Sequence, residues 1–316
     1  MREVTVRAPA KINLGLEVLG KRPDGYHELL TVLQTIELAD TVRIRLTDPS
    51  STILTGPPSI TLTVRFSGTD EVDLGPHGQN LVLRAARAYL EAMPERGSRR
   101  LEISLTKRIP VGAGLGGGST DAAATLLGLN ELLGALHPDP EQHRRRLHAL
   151  ATSLGMDVAF FLEGGSQLGT GRGECVVPID PWPGRALVIV YPNVSLPTSS
   201  IYGRLRLPLT PSGPLATMAP RENPSALWDR AWRDLRNDLQ DVVVEQVPAV
   251  GMVLDELQAL GAVFARVTGS GSAVFALASS DDEAAGWSGR FRSSGYWARA
   301  TRPSQCGCRL LRRARS

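Results

Sequence analysis

Lysine is nearly absent from this 316-residue chain: of 35 lysines and arginines, only Lys11, Lys21 and Lys107 are lysine. A chain that uses arginine almost everywhere else keeps lysine where a compact, mobile point charge is required. Lys21, beside Arg22 and ahead of Pro23, is expected on the plain surface. Cysteine is as scarce: Cys175, Cys306 and Cys308 are too few and too unevenly placed for a disulfide framework. No His/Cys cluster has the spacing of a zinc site. The absence of an 18-residue apolar run argues against a membrane-spanning helix, and Met1-Arg2-Glu3 does not open a signal peptide, so a cytoplasmic protein is expected. The net charge is only +3 with arginines spread along the chain, which argues against a nucleic-acid partner. The exception, Arg309, Arg312, Arg313 and Arg315, reads as a solvated terminal tail. There is no internal repeat and no low-complexity tract. At 42% hydrophobic residues, the chain can bury one or two ordinary cores.

What is present concentrates between Leu101 and Leu133. Leu101, Ile103 and Leu105 alternate with polar residues, the period of a half-buried strand. Pro110 ends it, and Gly112, Gly114, Gly116, Gly117 and Gly118 follow. Ser119, Thr120 and Asp121 then offer N-caps to an alanine- and leucine-rich helix. A turn so poor in Cβ atoms lets backbone N–H groups converge, and the helix start adds its unpaired N–H groups and positive dipole end, which together make a phosphate site. A Walker A loop would need a lysine after the second glycine, where Gly118 and Ser119 stand instead. Gly112-x-Gly114-x-x-Gly117 fits a dinucleotide fingerprint, but no second strand with a ribose-binding acid follows. The next segment, spaced by Leu147, Leu150 and Leu154, reads as another helix. What survives is a glycine loop of another kind, or a tight structural turn.

The remaining elements are read coarsely. Strands are expected at 4–7, 12–19, 41–46, 60–66, 166–168, 175–179, 186–191, 263–268 and 273–278. Helices are expected at 80–92, 143–154, 225–246 and 248–260. Proline-rich 207–224 reads as an irregular loop, and 178–183, with three prolines and a glycine nearby, as a domain junction. Asp157, in Gly155-Met-Asp-Val-Ala-Phe-Phe, is either a capping aspartate or a proton acceptor.

PVGAGLGGGSTD (110–121) resembles the second motif of the GHMP kinases, which phosphorylate small-molecule alcohols. APAKINLGLEVLGKRPDGYHEL (8–29) and LGMDVAFFLEGGSQLGTGRGE (154–174) resemble the first motif and the aspartate motif of one branch of that family. ARVTGSGSAVFAL (265–277) resembles the family's third, glycine-containing motif. The matches run in the family's order from about residue 8 to 278. The resemblance implies an α+β, two-domain GHMP kinase fold with the active site in the cleft between the domains, divided as 1–180 and 181–316. It implies ATP and Mg²⁺, the metal's ligands being unassigned.

In that reading Pro110, Gly112, Gly114, Leu115, Gly116, Gly117 and Gly118 form the phosphate loop. Ser119 and Thr120 contact a phosphate or Mg²⁺ or cap the helix, and Asn80 and Lys107 match positions lining the adenine site. The family's catalytic aspartate falls on Asp157, and its partner lysine on Lys11, placed to polarise the hydroxyl and keep Asp157 ionised. The branch's alcohol is a cytidyl-linked methylerythritol, phosphorylated on its 2-hydroxyl in the non-mevalonate isoprenoid pathway. A cytosine wants aromatic planes and an imidazole or amide edge. Tyr26 and His27 match the branch's base contacts, Tyr202 the stacking position on the other face and Thr198 a nearby polar contact. Asn13 would lie near the reacting hydroxyl, and Gly269, in Thr268-Gly-Ser-Gly-Ser272, would close the cleft. Without the resemblance, Tyr26 and Tyr202 read as ordinary half-buried tyrosines.

Ala159 and Val267 depart from the branch's usual residues but replace no reacting group. The last forty residues match only loosely and read as an edge strand and a disordered end. A kinase of homoserine or mevalonate would lack Asp24-Gly-Tyr-His27. A nicotinamide oxidoreductase would need the missing ribose acid, and an RNA-binding protein would need clustered basic and aromatic residues.

Overall fold

The computed structural model describes residues 2–47, 59–74, 76–93, 100–134, 136–184, 186–206, 215 and 234–315. Two strands of twenty residues, β1 (Arg2–Lys21) and β2 (His27–Leu46), form the antiparallel spine of the larger sheet. The expected strands at 4–7 and 12–19 are one strand. Pro9, which has no N–H to give a ladder, sits at a register shift between Pro9 and Lys11 that lets pairing resume beyond it. The first half of β2 escaped the sequence reading because Leu30, Thr31, Val32, Leu33, Gln34 and Thr35 are all buried, which erases the period of two.

β3 (Ser59–Phe66) runs parallel to β4 (Arg100–Lys107), with α1 (Leu81–Glu91) in the crossover. The sheet order is β11 (Arg309–Arg315), β1, β2, β4, β3, and β5 (Ser166–Thr170) with β6 (Cys175–Pro178) branches from β2. Helices α1, α2 (Gly117–Leu133), α3 (Pro140–Leu154) and α4 (Phe160–Glu163) cover one core, in which Val4, Val6, Ile44 and Ile103 meet Ala122, Leu126 and Leu129.

The second sheet has the order β10 (Trp297–Thr301), β7 (Ala186–Tyr191), β9 (Val274–Ala278), β8 (Ala265–Val267). It carries α5 (Thr198–Arg204), α6 (Gln240–Gln246), α7 (Pro248–Ala259) and α8 (Asp281–Ser293). A core shared by both sheets packs Ile12, Val32 and Ile36 with Leu187, Ile189 and Phe275, so the two sheets are joined by apolar packing. Most of the loop expected at 207–224, and the first part of the helix expected at 225–246, lie outside the described residues; α6 is the helical end of that segment.

The expected division at 180/181 misplaces the end of the chain. β11 (Arg309–Arg315) pairs antiparallel with β1, so the last strand belongs to the first sheet. On the way back, Gly307 N donates to Glu163 O at 2.7 Å and Cys308 N to Phe161 O at 2.8 Å, tying the tail to α4. Contacts across some 300 residues leave no local pattern to read. The expected edge strand is present as β11, and Ser316 lies outside the described residues.

Candidate active site

One cleft of about 940 Å³ gathers the sequence motifs. Lys11, on β1, is anchored to the glycine loop by its backbone N–H, which donates to Leu115 O at 3.0 Å. Its ammonium donates to Asn13 Oδ1 at 2.6 Å and lies 3.7 Å from Asp157 Oδ2. Asn13 is held in this orientation from behind: its Nδ2 donates to Thr31 Oγ1 at 2.9 Å, and Thr31 Oγ1 donates to Gly15 O at 2.7 Å. With the amide nitrogen committed to Thr31, its oxygen faces Lys11. Asp157 stands in the turn between α3 and α4, its side chain 32% exposed. The N-cap of α4 is Ala159, so capping is not the task of Asp157.

The glycine loop reaches α2 earlier than the sequence suggested. Gly116 is the N-cap, at φ +72°, and the helix begins at Gly117. Ser119, Thr120 and Asp121 therefore lie inside the helix and are not caps. Pro110, Gly112, Gly114, Leu115, Gly116, Gly117, Gly118 and Ser119 all line the cleft. Gly114 lets the third motif close over the loop, since a Cβ there would stand 2.3 Å from Thr268 O. Thr120 is brought elsewhere: it is fully buried and its hydroxyl meets the Cys308 thiol at 3.5 Å, on the far side of the helix start. Burial, opposed in part by the Thr120 hydrogen bond, pushes that thiol up to about 12, so it is inert as a nucleophile.

Lys107 lines the cleft beneath the loop, but its charge is already used. Its buried ammonium donates to Asp40 and, at 2.8 Å, to Asp121 Oδ2. Burial alone would lower its pKa; Asp121 and then Asp40 outweigh that and raise it above the usual lysine value. Asp40 also accepts from the backbone N–H groups of Arg108 and Ile109, which pins the chain entering the loop. Asp121 is less well served: its Oδ1 has no hydrogen-bond partner, and burial raises its carboxyl well above the ordinary range. The structure thus places the Lys107 ammonium in an internal ion cluster at the wall of the cleft. Asn80 combines two roles, lining the cleft while its Oδ1 accepts from Val82 N at 2.9 Å as the N-cap of α1.

At the other end of the cleft, the His27 ring stacks on Tyr202 with centroids 5.1 Å apart and planes 27° apart, and Tyr26 stands 52% exposed beside them. Burial, then the charge of Lys21, depresses the His27 pKa below its ordinary value, which keeps the imidazole neutral and able both to donate and to accept. Burial, then the charge of Asp157, raises the Tyr202 phenol above its ordinary value. Thr198 Oγ1 lies 2.9 Å from Ser270 Oγ, joining α5 to the third motif. A Cβ on Gly269 would stand 3.2 Å from Asn13 Oδ1 and 3.3 Å from Lys11 Nζ, so this motif lies directly over the lysine.

All three lysines line this one cleft, Lys21 exposed at the surface, as expected, on its rim. Of the cations in the lining, Lys107 is matched by Asp40 and Asp121 and Arg172 by Glu174, while Lys11 has one carboxylate, Asp157, at 3.7 Å. Sequence reasoning missed Thr31, which orients Asn13, and Asn237, whose Nδ2 donates to Val267 O at 2.9 Å and Gly269 O at 2.8 Å. Neither sits in a motif-like context. Arg172 was within the matched string 154–174 but was assigned no role.

Two family models match the chain: GHMP kinases N terminal domain over residues 80–165 and GHMP kinases C terminal over residues 225–294. The 4-diphosphocytidyl-2-C-methyl-D-erythritol kinase of Geobacter sulfurreducens is 39% identical over 303 residues, covering 96% of this chain and 99% of the relative. That of Solibacter usitatus is 42% identical over 281 residues, covering 87% and 81%. The crystal structure of a 4-(cytidine 5'-diphospho)-2C-methyl-D-erythritol kinase superposes with a TM-score of 0.74 at 34% identity, covering 95% of this chain and 99% of that one. A homoserine kinase from Cytophaga hutchinsonii, at 21% identity and TM-score 0.68, shares the fold. The α+β arrangement, the glycine loop and these matches place the chain in the GHMP kinases. Within them it belongs to the 4-diphosphocytidyl-2-C-methyl-D-erythritol kinases.

Proposed function

We propose that this kinase transfers the γ-phosphoryl group of ATP to the 2-hydroxyl of 4-diphosphocytidyl-2-C-methyl-D-erythritol, a step of the non-mevalonate route to isoprenoid precursors. The observation that carries the reading is one cleft with three parts in sequence. The glycine loop is at one end, the Tyr26–His27–Tyr202 cluster at the other, and the Lys11–Asp157 pair lies between. Lys11 is close enough to the loop that a Cβ on Gly116 would stand 3.1 Å from Lys11 Cγ, while the charge of Asp157 is felt by Tyr202.

Phosphoryl transfer asks chiefly for positioning and charge stabilisation. The loop's backbone N–H groups and the start of α2 hold the phosphates of ATP. Asp157 accepts a hydrogen bond from the attacking hydroxyl and takes its proton as the new P–O bond forms. Lys11, held by Asn13, stabilises both Asp157 and the charge on the transferred group. Tyr26 and Tyr202 offer the base their ring faces, and neutral His27 reads its edge.

The oxygen donors fit a magnesium ion that arrives with the nucleotide, which binds through few side chains and mainly through phosphate. Among the described residues no group of three or more His, Cys, Asp or Glu is placed to hold a metal, whereas the Ser119 hydroxyl and the half-exposed Asp157 carboxylate both line the cleft. The Ser119 hydroxyl, at the start of α2, would hold it, leaving Asp157 to the reacting hydroxyl, and the bound ion would neutralise charge on the phosphate oxygens. The reaction places the protein in the cytoplasm with small-molecule partners. No helix among the described residues is long and apolar enough to cross a membrane.

The test is ADP release with Mg-ATP, offering the cytidyl-linked alcohol, homoserine and mevalonate in parallel and weighing the products. The reading expects a gain of one phosphoryl group on the cytidyl-linked alcohol alone. Turnover of another alcohol, or of none, overturns the substrate assignment.

A further inference from the structure

The base end of the cleft has a second layer behind it. Tyr26 closes a turn in which Arg22 N donates to Tyr26 O at 2.8 Å and Gly25 N to Arg22 O at 3.1 Å, so its backbone is fixed while its ring stands half in solvent. An unsupported exposed tyrosine samples several rotamers and loses that freedom when a ligand stacks on it. Here the ring is not unsupported. The guanidinium carbon of Arg172, at the tip of the β5–β6 hairpin, lies 4.9 Å from the centre of the Tyr26 ring, the geometry of a cation–π contact.

Arg172 is itself clamped. Its Nε donates to Glu174 Oε1 at 3.1 Å, and its backbone N–H donates to Glu174 Oε2 at 2.6 Å, so one carboxylate fixes both ends of the residue. The hairpin tip is in turn anchored next to the aromatic pair, because Leu29 N donates to Gly171 O at 2.7 Å, two residues beyond His27. Both Arg172 and Tyr26 line the cleft.

We propose that Arg172 is a positioning residue for base recognition: clamped by Glu174, it covers one face of Tyr26 and leaves the other face presented to the base. The inference rests on the cytidyl substrate proposed above. It differs from the simpler role a cleft arginine can take, a direct contact to the substrate's diphosphate.

The two roles separate when cytidine, which has no phosphate, is compared with CDP. Equilibrium affinities for both ligands are measured on the wild type and on Arg172→Ala, Arg172→Lys and Glu174→Gln, with steady-state kinetics and melting temperature alongside. Arg172→Ala is expected to weaken cytidine and CDP by the same factor, about 3–10-fold, the scale of one lost cation–π contact. The KM of the cytidyl substrate should rise by that factor, with kcat at saturation and the KM of ATP little moved. Arg172→Lys should recover part of the loss, since an ammonium also sits on a ring face, and Glu174→Gln should reproduce part of it. A loss confined to CDP, or unchanged cytidine affinity in Arg172→Ala, overturns the proposal while leaving the substrate reading intact. A wild type that binds neither cytidine nor CDP overturns the substrate reading and this inference with it.

Discussion

Lys11 and Lys107 share the walls of one cleft and are almost equally buried, yet their surroundings differ in one respect. Lys107 is enclosed by two carboxylates and lies within an ion cluster that also pins the backbone ahead of the glycine loop. Lys11 has a neutral amide at 2.6 Å and a carboxylate at 3.7 Å that is still open to the cleft. Burial of a lysine is therefore not the mark of its use. The mark is a charge held in place but incompletely matched, next to an acid that solvent, and hence substrate, can reach. The first arrangement pins the chain ahead of a loop; in the mechanism proposed above, the second leaves electrostatic capacity for a transition state.

Breaking the Lys107 cluster should have the largest effect on stability. Lys107→Met leaves Asp40 and Asp121 buried without their cation, and removing one partner of a buried ion pair costs about 3–5 kcal/mol. A melting temperature lower by about 10 °C is the expected reading in a thermal scan. At temperatures where the variant stays folded, its kcat should fall by less than about tenfold, because no group of the reacting pair has changed. A loss seen only as a raised KM for ATP, with melting unchanged, would mean that the lysine serves adenine after all.

A smaller change sharpens the same contrast from the acid side. Asp121 has one oxygen without a partner and a carboxyl raised by burial, so ionising it costs stability. A carboxyl whose pKa is raised on folding contributes fully below its ordinary value of 3.8 and loses that contribution as pH rises through the folded value. Asp121→Asn removes the titration. The variant should therefore gain on the wild type as pH increases from acid toward neutral, by about 1 kcal/mol or less after the lost Lys107 interaction is counted. Parallel melting curves across that range check it; a deficit that widens with pH would contradict the raised carboxyl.

The sequence made the contents of the site legible better than their division of labour. The glycine loop, Lys11, Asn13, Tyr26, His27, Asp157 and Tyr202 all stand in strings whose residues are close in the chain, and the structure lines one cleft with them. The family, the fold class and the kinase assignment are borne out by relatives that span the chain. What the sequence could not show were partners far away in the chain. Lys107 looked like a nucleotide ligand because Asp40, 67 positions earlier, gives no hint of the pairing. Thr120 looked like a phosphate or metal contact because nothing local announces Cys308, 188 positions later. The helix start was misplaced because the cap is Gly116, whose positive φ replaces the side-chain hydrogen bond that Ser119 or Thr120 would have given. Segments buried on both faces, such as the first half of β2, hide their period, and β11 is defined by a neighbour at the opposite end of the chain.

The most direct test of this division is the single-turnover rate of phosphoryl transfer in Asp157→Asn, measured with substrate affinity and melting temperature on the same preparation. If the Lys11–Asp157 pair carries the chemistry, the rate falls by about 10²–10⁴, the range for loss of a general base, while affinity and folding stay near wild type. An Asp157→Asn enzyme that transfers the phosphoryl group at full rate contradicts the account.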